Sequence, residues 1–304
     1  MTNVDLATAD GQDRYVPTAT RDITSAGHEG VYEWVAEHLV KDGMRALDFG
    51  CGTGYGVGLM ARAGATVDGA DSSPTAVAHA TETYGGPRAK FFVADLVESV
   101  PAAFALKSYD LVVSSEVLEH VVDPFAYVRR MAELCKDDGV CFVGTPNRLW
   151  SFEHVPDGHL LARSHLMEFT PPALDALLHT VFGEVRLMLR VFPKGSMSVV
   201  DPPIPPIPPR PRSITAAAAL VRKVSPAAVE RIKRVVDPNA PPVPVPKPPQ
   251  EWLASDIAWL DANDPAVDMA WAVGLVAICH KPRRDGRAHR RVIGSIARRS
   301  GSSR

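Results

Sequence analysis

Between Tyr109 and Val121 the chain reads Y-D-L-V-V-S-S-E-V-L-E-H-V, an apolar run that ends in Glu116, Glu119 and His120. If the chain turns helical after Ser115, spacings of three and four residues place all three on one face. Two carboxylates and an imidazole gathered at a strand end suit two kinds of chemistry. Together they can hold a divalent cation such as Mg2+ or Mn2+. Alternatively, His120 serves alone as a general base. Either arrangement would activate an alcohol, whose pKa of about 16 makes it a weak nucleophile at neutral pH. A third reading has Glu116 at a cofactor while Glu119 and His120 only cap and pack. Downstream, H-V-P-D-G-H-L-L-A-R-S-H-L-M-E-F-T-P offers His154, His159 and His165 as a further ligand or base.

A second group of residues suits an anionic or nucleotide-like ligand. In L-D-F-G-C-G-T-G, Asp48 precedes Gly50, Cys51, Gly52 and Gly54. Glycines at a strand-to-helix turn let the backbone approach a ligand, and the helix start offers unpaired N–H groups. Asp48 would repel a pyrophosphate but accept from a cationic amino group. Asp71 and Asp95 close the next two expected strands. An acid at the second strand end fits two ribose hydroxyls, and Asp95 is placed to meet an adenine amino group. This pattern fits a nicotinamide enzyme badly, because it lacks G-x-G-x-x-G.

The elements that must position these residues alternate. Helices are expected over His28–Val40, Gly56–Ala63, Pro74–Tyr84, Pro124–Leu134 and Pro171–His179. Strands are expected over Arg45–Phe49, Ala65–Ala70, Lys90–Ala94, Asp110–Ser114, Gly139–Gly144, Val185–Phe192 and Met269–His280. Such alternation predicts a doubly wound, mostly parallel α/β sheet with helices on both faces.

The D-F-G-C-G-T-G loop, the Asp71 strand end, A-D-L at Ala94–Leu96 and the Tyr109–Val121 run resemble class I S-adenosylmethionine-dependent methyltransferases. The resemblance covers about residues 12–192 plus the last strand. It implies a Rossmann-like, seven-stranded sheet whose seventh strand is antiparallel, with S-adenosylmethionine across the strand ends. Asp48 and the Gly50–Gly54 loop would face the methionine portion. Asp71 would take the ribose, Asp95 with Leu96 would flank the adenine, and Ser72 and Ser115 would also line the cofactor site. E-V-L-E-H is similar to a string in ubiquinone-type O-methyltransferases and to the metal-ligating string of small-RNA 2′-O-methyltransferases. S-H-L-M-E-F-T-P resembles the H-x-x-E-F-T-P stretch of many such enzymes and favours His165 as the returning histidine. D-R-Y-V-P at Asp13–Pro17 resembles the lead-in of methyltransferases of sugar and glycan pathways, where an arm covers the cleft. Tyr15 would then stack on the cofactor or bond a substrate hydroxyl, and His28 would line the pocket.

The 304 residues are 46% hydrophobic and 22% charged, which excludes general disorder. Four cysteines without metal spacing exclude a disulfide framework. No apolar run is long enough to span a bilayer and no leader is evident at the N-terminus, so a soluble cytoplasmic protein is expected. The net charge of −2 conceals a split. From Lys281 on, nine Lys/Arg against Asp285 alone carry +8, leaving −10 on residues 1–280. An acidic body makes a poor general nucleic-acid binder. Seven prolines in Asp201–Arg212 and seven in Pro238–Pro249 favour polyproline II and flank a helical, basic stretch. The expected organisation is an arm (1–27), a methyltransferase domain (28–193 and 251–282), a Pro-rich helical insertion (194–250) and a basic tail (283–304). The insertion is a candidate for docking a partner.

The leading expectation is therefore an S-adenosylmethionine-dependent O-methyltransferase acting on a hydroxyl of a sugar, glycan or glycosylated small metabolite. A glycosylated redox cofactor of the mycofactocin type is one concrete instance. The alternatives are a phenolic, quinone-type or amine acceptor without metal, and a non-catalytic scaffold that keeps the fold.

Overall fold

In a computed structural model of the chain, the described residues are 16–17, 23–97, 103–154, 159–162, 164–191, 258–262 and 274–283. The chain divides into one unit, Met1–Pro193 with Pro249–Arg304, and a second, Lys194–Pro248. All described residues belong to the first. Tyr15, the Pro-rich insertion and residues 284–304 lie outside them.

The described elements are α1 (Ile23–His38), β1 (Arg45–Phe49), α2 (Tyr55–Arg62), β2 (Thr66–Asp71), α3 (Pro74–Tyr84), β3 (Ala89–Val93) and β4 (Tyr109–Ser115). A 3₁₀ turn (Leu118–His120) follows, then α4 (Pro124–Leu134), β5 (Cys135–Pro146), α5 (Arg148–His154), α6 (Pro171–His179), β6 (Phe182–Val191), β7 (Ala258–Asp261) and β8 (Gly274–Pro282). They form one sheet in the order β3-β2-β1-β4-β5-β8-β6-β7. Strands β1 to β6 run parallel, while β8 lies antiparallel between β5 and β6. The seven expected strands are thus present with the last one reversed. An eighth, β7, is added at the edge and pairs antiparallel with β6 through Met188–Val191. It comes between the insertion and the last expected strand, and its four residues carry too little pattern to be read beforehand.

Three helices start where a capping side chain meets a proline. Ser73, Asp123 and Thr170 accept from Ala76 N, Ala126 N and Ala173 N, and each is followed by a proline whose missing N–H costs nothing there. These devices fix the starts of α3, α4 and α6 where they are expected. Helix α1 instead begins at Ile23, so His28 lies in its second turn rather than at its start.

Alternate residues of the strands feed two apolar layers, as the two-residue period requires. On one face Val31 and Val35 of α1 and Val57 and Met60 of α2 pack on Ala46, Val67, Val113 and Val276. On the other, Tyr127, Val128 and Met131 of α4 and Leu174 and Leu178 of α6 pack on Leu47, Phe49, Val112 and Ala277. All four cysteines are reduced and buried in these layers or beside them. Strand β7 extends the first layer by packing Trp259 against Trp34, with ring centroids 5.4 Å apart and the planes tilted by 40°. This core leaves the carboxyl ends of β1, β2 and β4 side by side, where ligands of open α/β sheets bind.

Candidate active site

Gly50, Gly52 and Gly54 all have positive φ, at 101°, 51° and 87°. At Gly50 the need is steric as well, because a Cβ would lie 2.4 Å from Val117 Cγ2. The glycine loop and the turn after β4 therefore rest directly on one another. Gly50 N and Cys51 N donate to Ala70 O, tying the loop to β2. Asp71 then shapes it: Oδ2 accepts from Gly52 N at 3.0 Å and Oδ1 from Ser73 N at 2.9 Å. Tyr127 of α4 anchors the strand end beneath, donating to Phe49 O at 2.5 Å and meeting Ser114 Oγ at 2.8 Å.

Asp48 is fully buried under this loop. Tyr32 of α1 donates to its Oδ1 at 2.9 Å, while Oδ2 has no hydrogen-bond partner among the described residues. Burial pushes the carboxyl up to about 7 and the nearby Asp71 charge adds to this, while the Tyr32 hydrogen bond acts in the opposite direction. Asp95 is exposed and accepts from Val97 N, with Leu96 buried beside it. Cys51 and Ser115 are buried and Ser72 is exposed.

After Ser115 the structure departs from the helical expectation. Only Leu118–His120 forms a turn of 3₁₀ helix, and Glu116 adopts φ 57°, the left-handed region. Glu116, Glu119 and His120 consequently do not share one helical face. Glu116 turns instead to Arg190 of β6, with Nη2 3.2 Å from its Oε1. It is not part of the group able to hold a cation, contrary to the four-ligand expectation.

Glu119, His120 and His165 do come together, each offering a ligand atom within 4.8 Å of the others. His165 is brought in by the backbone: Leu166 N and Met167 N donate to Glu119 O, at 2.8 and 3.3 Å. The rings of His120 and His165 stand edge to face with centroids 4.9 Å apart. Thr145 donates to Glu119 Oε2 at 2.9 Å. Burial, and next the charge of Glu116, raise the Glu119 carboxyl well above its ordinary range. His120 Nδ1 lies 3.1 Å from the Ser164 carbonyl, and His165 Nδ1 lies 2.8 Å from Glu168 Oε1. Both partners only accept, so each Nδ1 carries the proton and the lone pair of a neutral ring sits on Nε2. His159 does not join the group; its carbonyl accepts from Arg148. The backbone of His154 ends α5, and its side chain lies outside the described residues.

Two charged residues of this site went unread in the sequence. The Glu168 side chain is buried and also accepts from Ser151 and from Leu161 N. Burial works to raise its pKa, but the hydrogen bonds from His165, Ser151 and Leu161 outweigh it and hold the carboxyl below its usual range. Its signal was H-x-x-E, three residues beyond His165. Arg190 was signalled only by a charge inside the apolar run L-M-L-R-V-F.

A glycine turn after β1, acids at the ends of β1 and β2, and a reversed strand β8 between β5 and β6 make an open α/β sheet of the methyltransferase type. Residues 29–181, half of the chain, match the family described as methyltransferase domain. The chain belongs to the class I methyltransferase family. It is 34% identical over 174 residues to a protein of Mycolicibacterium smegmatis named "Probable S-adenosylmethionine-dependent methyltransferase", covering 57% of this chain and 64% of that one. A protein of Mycobacterium tuberculosis with a name of the same kind is 37% identical over 122 residues, 40% of this chain and 42% of that one. The ubiquinone biosynthesis O-methyltransferase of Salmonella paratyphi A is 42% identical over 108 residues, 35% and 44% of the two chains. The match thus spans between two-fifths and two-thirds of these relatives' own lengths. Among the described residues no helix is long and apolar enough to cross a membrane.

Proposed function

We propose that this chain transfers the methyl group of S-adenosylmethionine to a hydroxyl of a sugar, glycan or glycosylated small metabolite. The observation that carries the reading is the pair of imidazoles, His120 and His165, both oriented through Nδ1 and both beside buried Glu119. A neutral Nε2 takes the hydroxyl proton as the oxygen attacks the methyl carbon. The C–S bond breaks as the O–C bond forms, and the sulfonium leaves as a neutral thioether. A general base of this kind contributes about 10²–10⁴-fold, and holding oxygen, methyl and sulfur in line supplies much of the rest.

Asp48 would pair with the methionine ammonium, and Asp71 and Asp95 would reach the ribose and adenine. Tyr15 would complete the cleft from the arm.

A divalent cation fits the donor set of Glu119, His120 and His165, without Glu116. Two imidazoles and one carboxylate suit Mn2+ or another transition metal better than Mg2+, which prefers oxygen. When bound, such an ion would supply acidification of the acceptor hydroxyl in place of a free imidazole base.

The identity to a ubiquinone O-methyltransferase favours a second acceptor class, a phenolic or quinone-type ring. A phenol, with a pKa of about 10, needs far less help from a base. Turnover should therefore be measured on a panel of sugar, phenol and amine acceptors, for wild type and His120→Ala, after chelation and after Mg2+ or Mn2+ is restored. Preferred turnover of a sugar hydroxyl, lost in His120→Ala, is the expected result. Preferred turnover of a phenol that survives His120→Ala would establish the second reading, and full activity after rigorous chelation would remove the metal.

A further inference from the structure

Arg190 presents an arrangement that the proposed cofactor contacts do not use. Its side chain is only 9% exposed and projects from β6, two strand positions beyond β5 in the sheet. Nη1 donates to Gly27 O of α1 at 3.1 Å, and Nη2 approaches Glu116 Oε1 at 3.2 Å. Among the described residues, neither Nε of Arg190 nor Oε1 of Glu116 meets a partner in hydrogen-bond geometry. Burying a guanidinium with one donor unmet is a poor way to gain stability, since desolvation offsets much of what the ion pair contributes. The fold nevertheless makes room for it. A Cβ at Gly274 of β8 would sit 2.7 Å from Nε and 2.8 Å from Nη2.

What Arg190 grips matters more than what it stabilises. Glu116 holds a left-handed backbone that a residue with a Cβ adopts only under constraint. One constraint is the bond from Glu116 N to Gly144 O at 2.9 Å. The ion pair is a second. The next residue, Val117, packs onto Gly50 of the glycine loop. Contacts therefore run unbroken from α1 through Arg190, Glu116 and Val117 to the loop that would hold the cofactor.

We propose that Arg190 is a positioning residue for cofactor binding: acting through Glu116, it holds the turn after β4 against the glycine loop and ties that turn to α1. Arg190 itself touches no ligand. The inference rests on the reading of Gly50–Gly54 as the S-adenosyl cradle.

The test is calorimetric titration of S-adenosylhomocysteine into wild type, Arg190→Gln, Arg190→Lys, Glu116→Gln, the double variant Arg190→Gln/Glu116→Gln and Gly274→Ala, with thermal melts alongside. Arg190→Gln and Glu116→Gln should each weaken binding about tenfold, as outer-sphere supports do. The double variant should be no more than about twofold worse than the weaker single one, because both changes break one linkage. Arg190→Lys should fall in between, since an ammonium keeps the charge without the fork. Gly274→Ala keeps the charge and the fold, because the crowded atoms end a flexible side chain, yet it displaces the guanidinium and should weaken binding comparably. Wild-type affinity in folded Arg190→Gln or Gly274→Ala would overturn the inference, as would losses that multiply in the double variant. No binding by the wild type would overturn the cradle reading and the inference with it.

Discussion

Replacing Asp48 by Asn isolates the cost of keeping a carboxyl under the glycine loop. This group is fully buried, with one hydrogen bond from Tyr32 and a second oxygen unmet among the described residues. Its pKa rises from the ordinary 3.8 to about 7. The native state thus keeps a proton that the unfolded chain has already released. The resulting stabilisation is complete below about pH 4 and is lost progressively until the pH passes about 7. The interval corresponds to about 4 kcal/mol as an upper bound. The amide introduced by Asp48→Asn would be neutral at every pH and can still accept from Tyr32. Denaturant unfolding at pH 5 to 8.5 should show wild type losing at least about 2 kcal/mol relative to Asp48→Asn across that range. A bound ammonium would reverse the preference by favouring the charged carboxylate. Wild-type affinity for S-adenosylhomocysteine should then fall about tenfold per pH unit below 7, and that dependence should vanish in the variant. Parallel stability profiles for the two proteins would refute the reasoning.

Glu168→Gln removes the charge that orients His165, and turnover should drop about 10- to 100-fold; unchanged kcat in a folded variant would contradict this. Gly50→Ala imposes a strained φ and drives a Cβ into Val117, so unfolding should show a loss of about 2–4 kcal/mol, together with weakened cofactor binding. Tyr127→Phe strands the Phe49 carbonyl and Ser114 hydroxyl in the core, a loss of about 1–3 kcal/mol by denaturant unfolding.

The frame was legible where local chemistry marks it. The cap–proline pairs at Ser73-Pro74, Asp123-Pro124 and Thr170-Pro171 mark the starts of three helices, and D-F-G-C-G-T-G marks the strand-to-turn junction. Helix α1 and strand β5 carry no such marks: α1 starts five residues before its expected start and ends two before its expected end, and β5 extends beyond both of its expected bounds. At the site, His165 was within reach because its motif is local and its docking uses the backbone of Glu119. Glu116 was misplaced because a left-handed residue other than glycine leaves no compositional trace. Its partner Arg190 was hidden by topology, since β8 intervenes between β5 and β6 only once the sheet is assembled.

Transfer of an isotope-labelled methyl group tests the central claim most directly. S-adenosylmethionine carrying the label is incubated with the protein and hydroxylated acceptors, and the labelled atom of the product is located by mass spectrometry and NMR. The account predicts the methyl on oxygen, with transfer reduced about 10²–10⁴-fold by His120→Ala or His165→Ala. A methyl on nitrogen or carbon, or transfer undiminished in both histidine variants, would contradict it.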